Sequence, residues 1–194
     1  MAAEALSLTT QVFNAIIAEW RAHLTDIEQF VLRVEEEKIK AAQHEPGRRK
    51  YSFEEELNRW AREGCRKPAG WQSPDNGHTV YAGGTLRADA LVTVPDGKPV
   101  AVEVKLVTNV TADKWIAEIN NDTEKLSTQS LHLGLQIIAC FDMFDLAKSP
   151  DWSTFLSRIH IWNVVTPMVY RQAILGNGVM LVKGWAIQNS QLSS

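Results

Sequence analysis

Four charged side chains, Arg87, Asp89, Glu103 and Lys105, interrupt the stretch LRADALVTVPDGKPVAVEVKLV (residues 86–107), which is otherwise mostly apolar. Unpaired charge is costly to bury, so these groups must be paired, solvated or used to hold a ligand. The turn VPDGK decides how they meet. Pro95 supplies a φ of about −65°, Asp96 follows, and Gly97 stands where a left-handed residue is wanted. This predicts a three-residue hairpin loop with a glycine bulge. Such a loop pairs Val94 with Lys98, setting Asp89 opposite Glu103 and Arg87 opposite Lys105. All four then project from one sheet face, with opposed Cβ atoms about 4.5–5.5 Å apart. A loop one residue longer would part the two acids.

Opposed carboxylates repel, and a divalent cation would offset that repulsion. Mg²⁺ often takes only one or two carboxylates and leaves its other positions to water and substrate phosphate. Lys105, two residues from Glu103, stands beside the same spot, where it could orient or deprotonate the attacking water or stabilise charge on phosphate. The competing arrangement is a self-neutralising quartet of diagonal ion pairs on a solvated face. The apolar flanks ALVTV and VAVEVKLV favour the metal site, because a solvated face would carry more Thr, Ser or Lys.

The rest of the chain must position these groups. At 194 residues, with 45% hydrophobic and 22% charged, it reads as one soluble domain. The opening MAAEALSLTTQVFNAIIAEW lacks the basic start of a secretory signal. No apolar run approaches the roughly 20 residues of a membrane span. Cys65 and Cys140 stand far apart in no ligand spacing, which suits reduced thiols in a cytoplasmic protein. The net charge of −3 does not advertise a nucleic-acid binder, but it is unevenly spread. Residues 1–37 hold seven acids and two bases, whereas 38–67 hold nine bases and five acids. Arg48, Arg49 and Lys50 lie in that basic segment, either as phosphate contacts or as a solvated loop.

Apolar residues at spacings of three and four make 5–43 helical, with a break expected near HLTD and Thr25 or Asp26 as a cap. That stripe can cover the core or pair with a second copy in a homodimer. A further helix begins at SFEEELNRWAREG, where Ser52 and Glu55 have capping-box spacing. Strands are expected at 79–83, 86–94, 99–107 and 135–143, with a helix over 111–129 between the last two. A short helix at 152–159, a strand at 159–165 and a hairpin turning at Gly176-Asn177-Gly178 complete the order. The fold class is therefore α/β, a mixed sheet flanked by helices, with residues 1–50 as an N-terminal helical extension packed on 51–194.

A helix bearing a Glu, a hairpin with Asp on one strand and Glu-x-Lys on the next, then a helix and a strand, resembles the PD-(D/E)XK nuclease superfamily over residues 51–143. The resemblance implies a restriction-endonuclease-like αβββαβ core and Mg²⁺-dependent hydrolysis of phosphodiesters, with Mn²⁺ able to substitute. It makes Asp89 and Glu103 the metal-binding acids and Lys105 the family's lysine. Ala88 stands where many members carry proline. DNA is the expected partner, with Arg48, Arg49, Lys50, Arg87 and Lys125 on its phosphates. Lys125 and Asp122 could instead simply tie their helix together by a salt bridge. Among Glu54, Glu55 and Glu56, the capping box claims Glu55 and the helix dipole suits Glu54, leaving Glu56 as the accessory catalytic acid. No paired histidines, phosphate-binding loop or nucleophile elbow supports other chemistry. The alternative function is an inactive interaction or immunity-type protein on the same fold, which the acidic first helix favours.

Overall fold

The computed structural model describes residues 2–42, 53–73, 87–107, 113–127, 133–142, 150–159, 168–174 and 178–187. The expected strand at 79–83, all but the first residue of that at 159–165, the Gly176-Asn177 turn, Ser52, and the basic Arg48, Arg49 and Lys50 lie outside these residues. The elements, in order, are α1 (Ala2–Ala22), α2 (Leu24–Ala42), α3 (Glu54–Arg66), β1 (Ala90–Thr93), β2 (Pro99–Val107), α4 (Asp113–Ser127), β3 (Leu133–Asp142), α5 (Pro150–Ser157), β4 (Met168–Ile174) and β5 (Gly178–Ile187). The five strands form one open mixed sheet in the order β1-β2-β3-β5-β4. β2 and β3 are parallel and joined through α4, while the other pairings are antiparallel. No described helix is long and apolar enough to cross a membrane.

Alternation along the strands divides the molecule into three layers. Val100, Val102, Val104 and Leu106 of β2, with Leu135 and Ile137 of β3, pack into one core with α1 and α3. Val107, Ile138 and Cys140 face the other way, against Ile116 and Ile119 of α4 and Phe155 of α5. The first helix is therefore more than an extension: Val12, Phe13, Ile16 and Trp20 sit in the main core. Its own part of the apolar stripe is covered within the chain. Phe13 lies so close to Gly184 of β5 that a Cβ there would meet its ring at 2.7 Å.

A break between the first two helices is present, but its cap is not Thr25 or Asp26, which lie inside α2. His23 alone interrupts the helices. Its ring stacks on Trp60 of α3 at 4.3 Å, and its Nδ1 meets Asp26 Oδ2 at 3.1 Å.

The hairpin register is the one the turn predicts, with Ala90 opposite Val102 and Thr93 opposite Pro99. The turn itself differs. Gly97 N–H donates to Val94 O at 3.0 Å, and Asp96, at φ 58°, takes the left-handed position expected of Gly97. Asp tolerates that region. An added Cβ at Gly97 would stand 3.0 Å from the methyl end of Leu8 of α1, a side chain that can shift to admit it. β1 is also shorter than the expected 86–94: the chain bends at Asp89, so Arg87 is not ladder-paired with Lys105.

Helices α1 and α3 lock together through a close approach. Trp20 Nε1 donates to Leu57 O at 3.1 Å, and a Cβ at Gly64 would lie 2.8 Å from the Ala15 carbonyl oxygen. Alanine in place of that glycine gains about 1 kcal/mol of helix propensity. The atom it meets is backbone, however, and overpacking of that kind costs about 1–3 kcal/mol. Gly64→Ala is therefore expected to lower the urea midpoint at unchanged slope, and a midpoint at or above wild type would contradict the packing described.

Candidate active site

β2 runs on past the end of β1, which leaves the Val104 and Leu106 N–H groups without a strand partner on that edge. Two carboxylates take the strand's place. Val104 N–H donates to Asp89 Oδ2 at 2.8 Å, and Leu106 N–H donates to Glu54 Oε2 at 2.9 Å. Asn58 Nδ2 donates to the other Asp89 oxygen at 2.7 Å, and Arg62 Nη1 holds the Asp89 carbonyl at 2.9 Å. Glu54, Asn58 and Arg62 are spaced i, i+4, i+8, so one stripe of α3 fastens the bend from which the site is built.

That stripe corrects the choice of upstream acid. Glu56 is at the surface, where Arg59 Nη2 meets its Oε2 at 2.5 Å. It does share a side with Phe53 and Trp60, but that side faces the first two helices: Phe53 stacks on Phe30 at 4.1 Å and Trp60 on His23. Glu54 is the acid turned to the sheet. Nor does a capping box start α3, since its N-cap residue is Phe53, without a side-chain cap. A buried Asn four residues after a Glu was the sequence signal for the sheet-facing stripe.

Glu103 and Lys105 point toward α4. Glu103 is buried, and its side chain hydrogen-bonds with that of Asp89, so the acids predicted to meet across the hairpin do meet. Burial pushes the Asp89 pKa up and Glu54 adds to this, against the Val104 N–H, Lys105 and the Glu103 hydrogen bond; it rises from 3.8 to about 6. Lys105 Nζ lies 3.2 Å from Glu54 Oε1 and 3.4 Å from Glu118 Oε2. Burial alone would lower the pKa of its ammonium. The charge and hydrogen bond of Glu54, with Asp122 and Glu118 beyond, more than offset that, and it lies above the usual lysine value. Lys105 is therefore an ammonium, a stabiliser of negative charge rather than a base.

Lys125 is joined to Asp122 at 2.8 Å on α4, so the salt bridge foreseen for that pair is present, and Arg87 is exposed. Neither cysteine is placed as a nucleophile: both are buried, and burial pushes the Cys65 thiol up to about 12. One trio of ligand-type side chains, Glu19, His23 and Glu63, converges within 4.8 Å among the described residues. It lies at the helical junction, where Lys67 pairs with Glu19 and Arg59 with Glu63. The Asp89–Glu103 pair is separate from it. Two carboxylates and the buried Asn58 Oδ1, which has no hydrogen-bond partner among the described residues, are oxygen donors of the kind that hard cations take. Comparison with protein-family models, curated proteins and solved structures gives no match.

A carboxyl whose pKa is higher folded than unfolded stabilises the fold while protonated. The Asp89 contribution is thus whole below about pH 4 and is lost as pH rises through about 6. Asp89→Asn keeps an acceptor for Val104 and carries no charge. In chelator, its melting temperature relative to wild type is expected to climb between about pH 4 and about pH 6.5 and then level. A difference constant across that range would mean Asp89 titrates normally.

Proposed function

We propose that the chain is a Mg²⁺-dependent nuclease of the PD-(D/E)XK type that hydrolyses phosphodiester bonds of DNA. The observation that carries this reading is the pair of half-buried Asp89 and buried Glu103 with the charged Lys105 beside it. The described order α3, β1, β2, α4, β3 supports it as an αββαβ succession, one strand fewer than the αβββαβ core.

In this reading Asp89 and Glu103 hold Mg²⁺, with Mn²⁺ as a substitute. When bound, the cation supplies Lewis-acid polarisation of the phosphate and neutralises charge. Lys105 orients the attacking water and stabilises charge developing on the phosphoryl oxygens. Glu54, in place of Glu56, keeps Lys105 charged and aimed, while Asn58 and Arg62 hold Asp89 at the bend. Arg48, Arg49, Lys50, Arg87 and Lys125 supply phosphate contacts that position the strand. Cytoplasmic residence accords with two buried free thiols.

A second reading, an inactive interaction module on the same fold, draws on a different observation. Glu54 and Asp89 already satisfy backbone donors, and Lys105 already has two acidic neighbours. Cleavage assays on single- and double-stranded DNA and RNA with Mg²⁺ or Mn²⁺ separate the two. The nuclease reading expects cleavage that falls about 100-fold or more in Asp89→Asn and Lys105→Ala. Glu54→Gln is expected to fall about 10-fold or more, and Glu56→Gln to retain wild-type activity. Wild type inert on every substrate favours the second reading, and loss in Glu56→Gln with none in Glu54→Gln would overturn the assignment of the upstream acid.

A further inference from the structure

The next strand over from Glu103 carries a polar residue that the mechanism above does not use. Gln136 of β3 is the parallel-ladder partner of Glu103 and is fully buried, at 0% exposure. Its neighbours on β3 fix its side: Leu135 and Ile137 belong to the α1/α3 core and Ile138 to the α4 core. Alternation therefore puts Gln136 on the α4 side, with Glu103 and Lys105. Adjacent strands lie about 4.8 Å apart, so Gln136 and Glu103 are nearest neighbours on that face.

A glutamine at the centre of a sheet is costly unless its amide is satisfied. This one is poorly served. Its Nε2 makes two long hydrogen bonds, 3.4 Å to Glu103 O and 3.3 Å to Ile137 O. Its Oε1 is buried with no hydrogen-bond partner. Leucine or methionine would fill the same volume without that penalty. An unpartnered carbonyl oxygen next to that acid pair is a donor suited to the same hard cation, since such cations accept amide oxygens alongside carboxylates.

The geometry points to Gln136 as a third protein oxygen for the divalent cation held by Asp89 and Glu103. The inference rests on the metal-dependent reading above and extends its ligand set to β3. It also explains why an amide stands where an apolar side chain would pack better.

The test is calorimetric titration of the full chain with Mn²⁺, together with thermal melts in chelator. Gln136→Leu is expected to weaken Mn²⁺ binding about 10- to 100-fold and to melt at or above the wild-type temperature, because the orphaned oxygen is gone. Gln136→Glu is expected to bind Mn²⁺ at least as tightly as wild type but to melt lower in chelator at about pH 8, where a third carboxylate joins the pair. If Gln136→Leu does not fold, Gln136→Met, with no amide, takes the same titration. Wild-type Mn²⁺ affinity in the apolar variants would overturn the role of Gln136 alone. Absence of Mn²⁺ binding by the wild type would instead overturn the metal-dependent reading, and this inference with it.

Discussion

A strand that ends early is the constraint on which the rest of the site depends. β2 continues beyond Val102 with no β1 beside it, and its Val104 and Leu106 N–H groups must still be satisfied in a nearly dry environment. The chain answers with carboxylates from two directions, Asp89 from the bend and Glu54 from the first turn of α3. Negative charge is thus drawn to one edge by backbone donors. Glu103 and Lys105 then follow from strand alternation, on the face beneath α4. Fastening α3 to α1 and to the sheet in turn holds Glu54, Asn58 and Arg62 in line.

The two faces of the sheet are built differently. The side under α1 and α3 is apolar along β2 and β3. The side under α4 admits a polar row, Glu103 beside Gln136, and a charged neighbour, Lys105, inside an otherwise apolar layer. Polar groups in such a layer cost stability unless something recovers the loss, which is the usual signature of a functional site. Here the two acids are neighbours, with the Asp89 pKa pushed up, and the lysine is held charged by the acids around it.

Much of this was legible in the sequence because it depends on local chemistry. The residues of VPDGK set the hairpin register, and the register brought Asp89 to Glu103. Apolar spacing located α1, α3 and α4, and the apolar run of β3 marked a central strand. The misreadings came from tertiary context. The helix dipole and capping-box spacing single out Glu56, but Glu54 is the acid turned to the sheet, because Phe53 and Trp60 hold the other side of α3 against the first two helices. Asp96, and not Gly97, takes the left-handed position of the turn. The bend at Asp89 and the end of β1 depend on α3 reaching across to the backbone, which no local pattern records.

The packing of Phe13 against Gly184 has a consequence for how the molecule assembles. An early helix and a late strand interlock at one point, so the central core has no complete local subset. α1 finds its first partner in α3, through Trp20 and Leu57, but its contact with Gly184 closes only once β5 is in place, so the core is completed late.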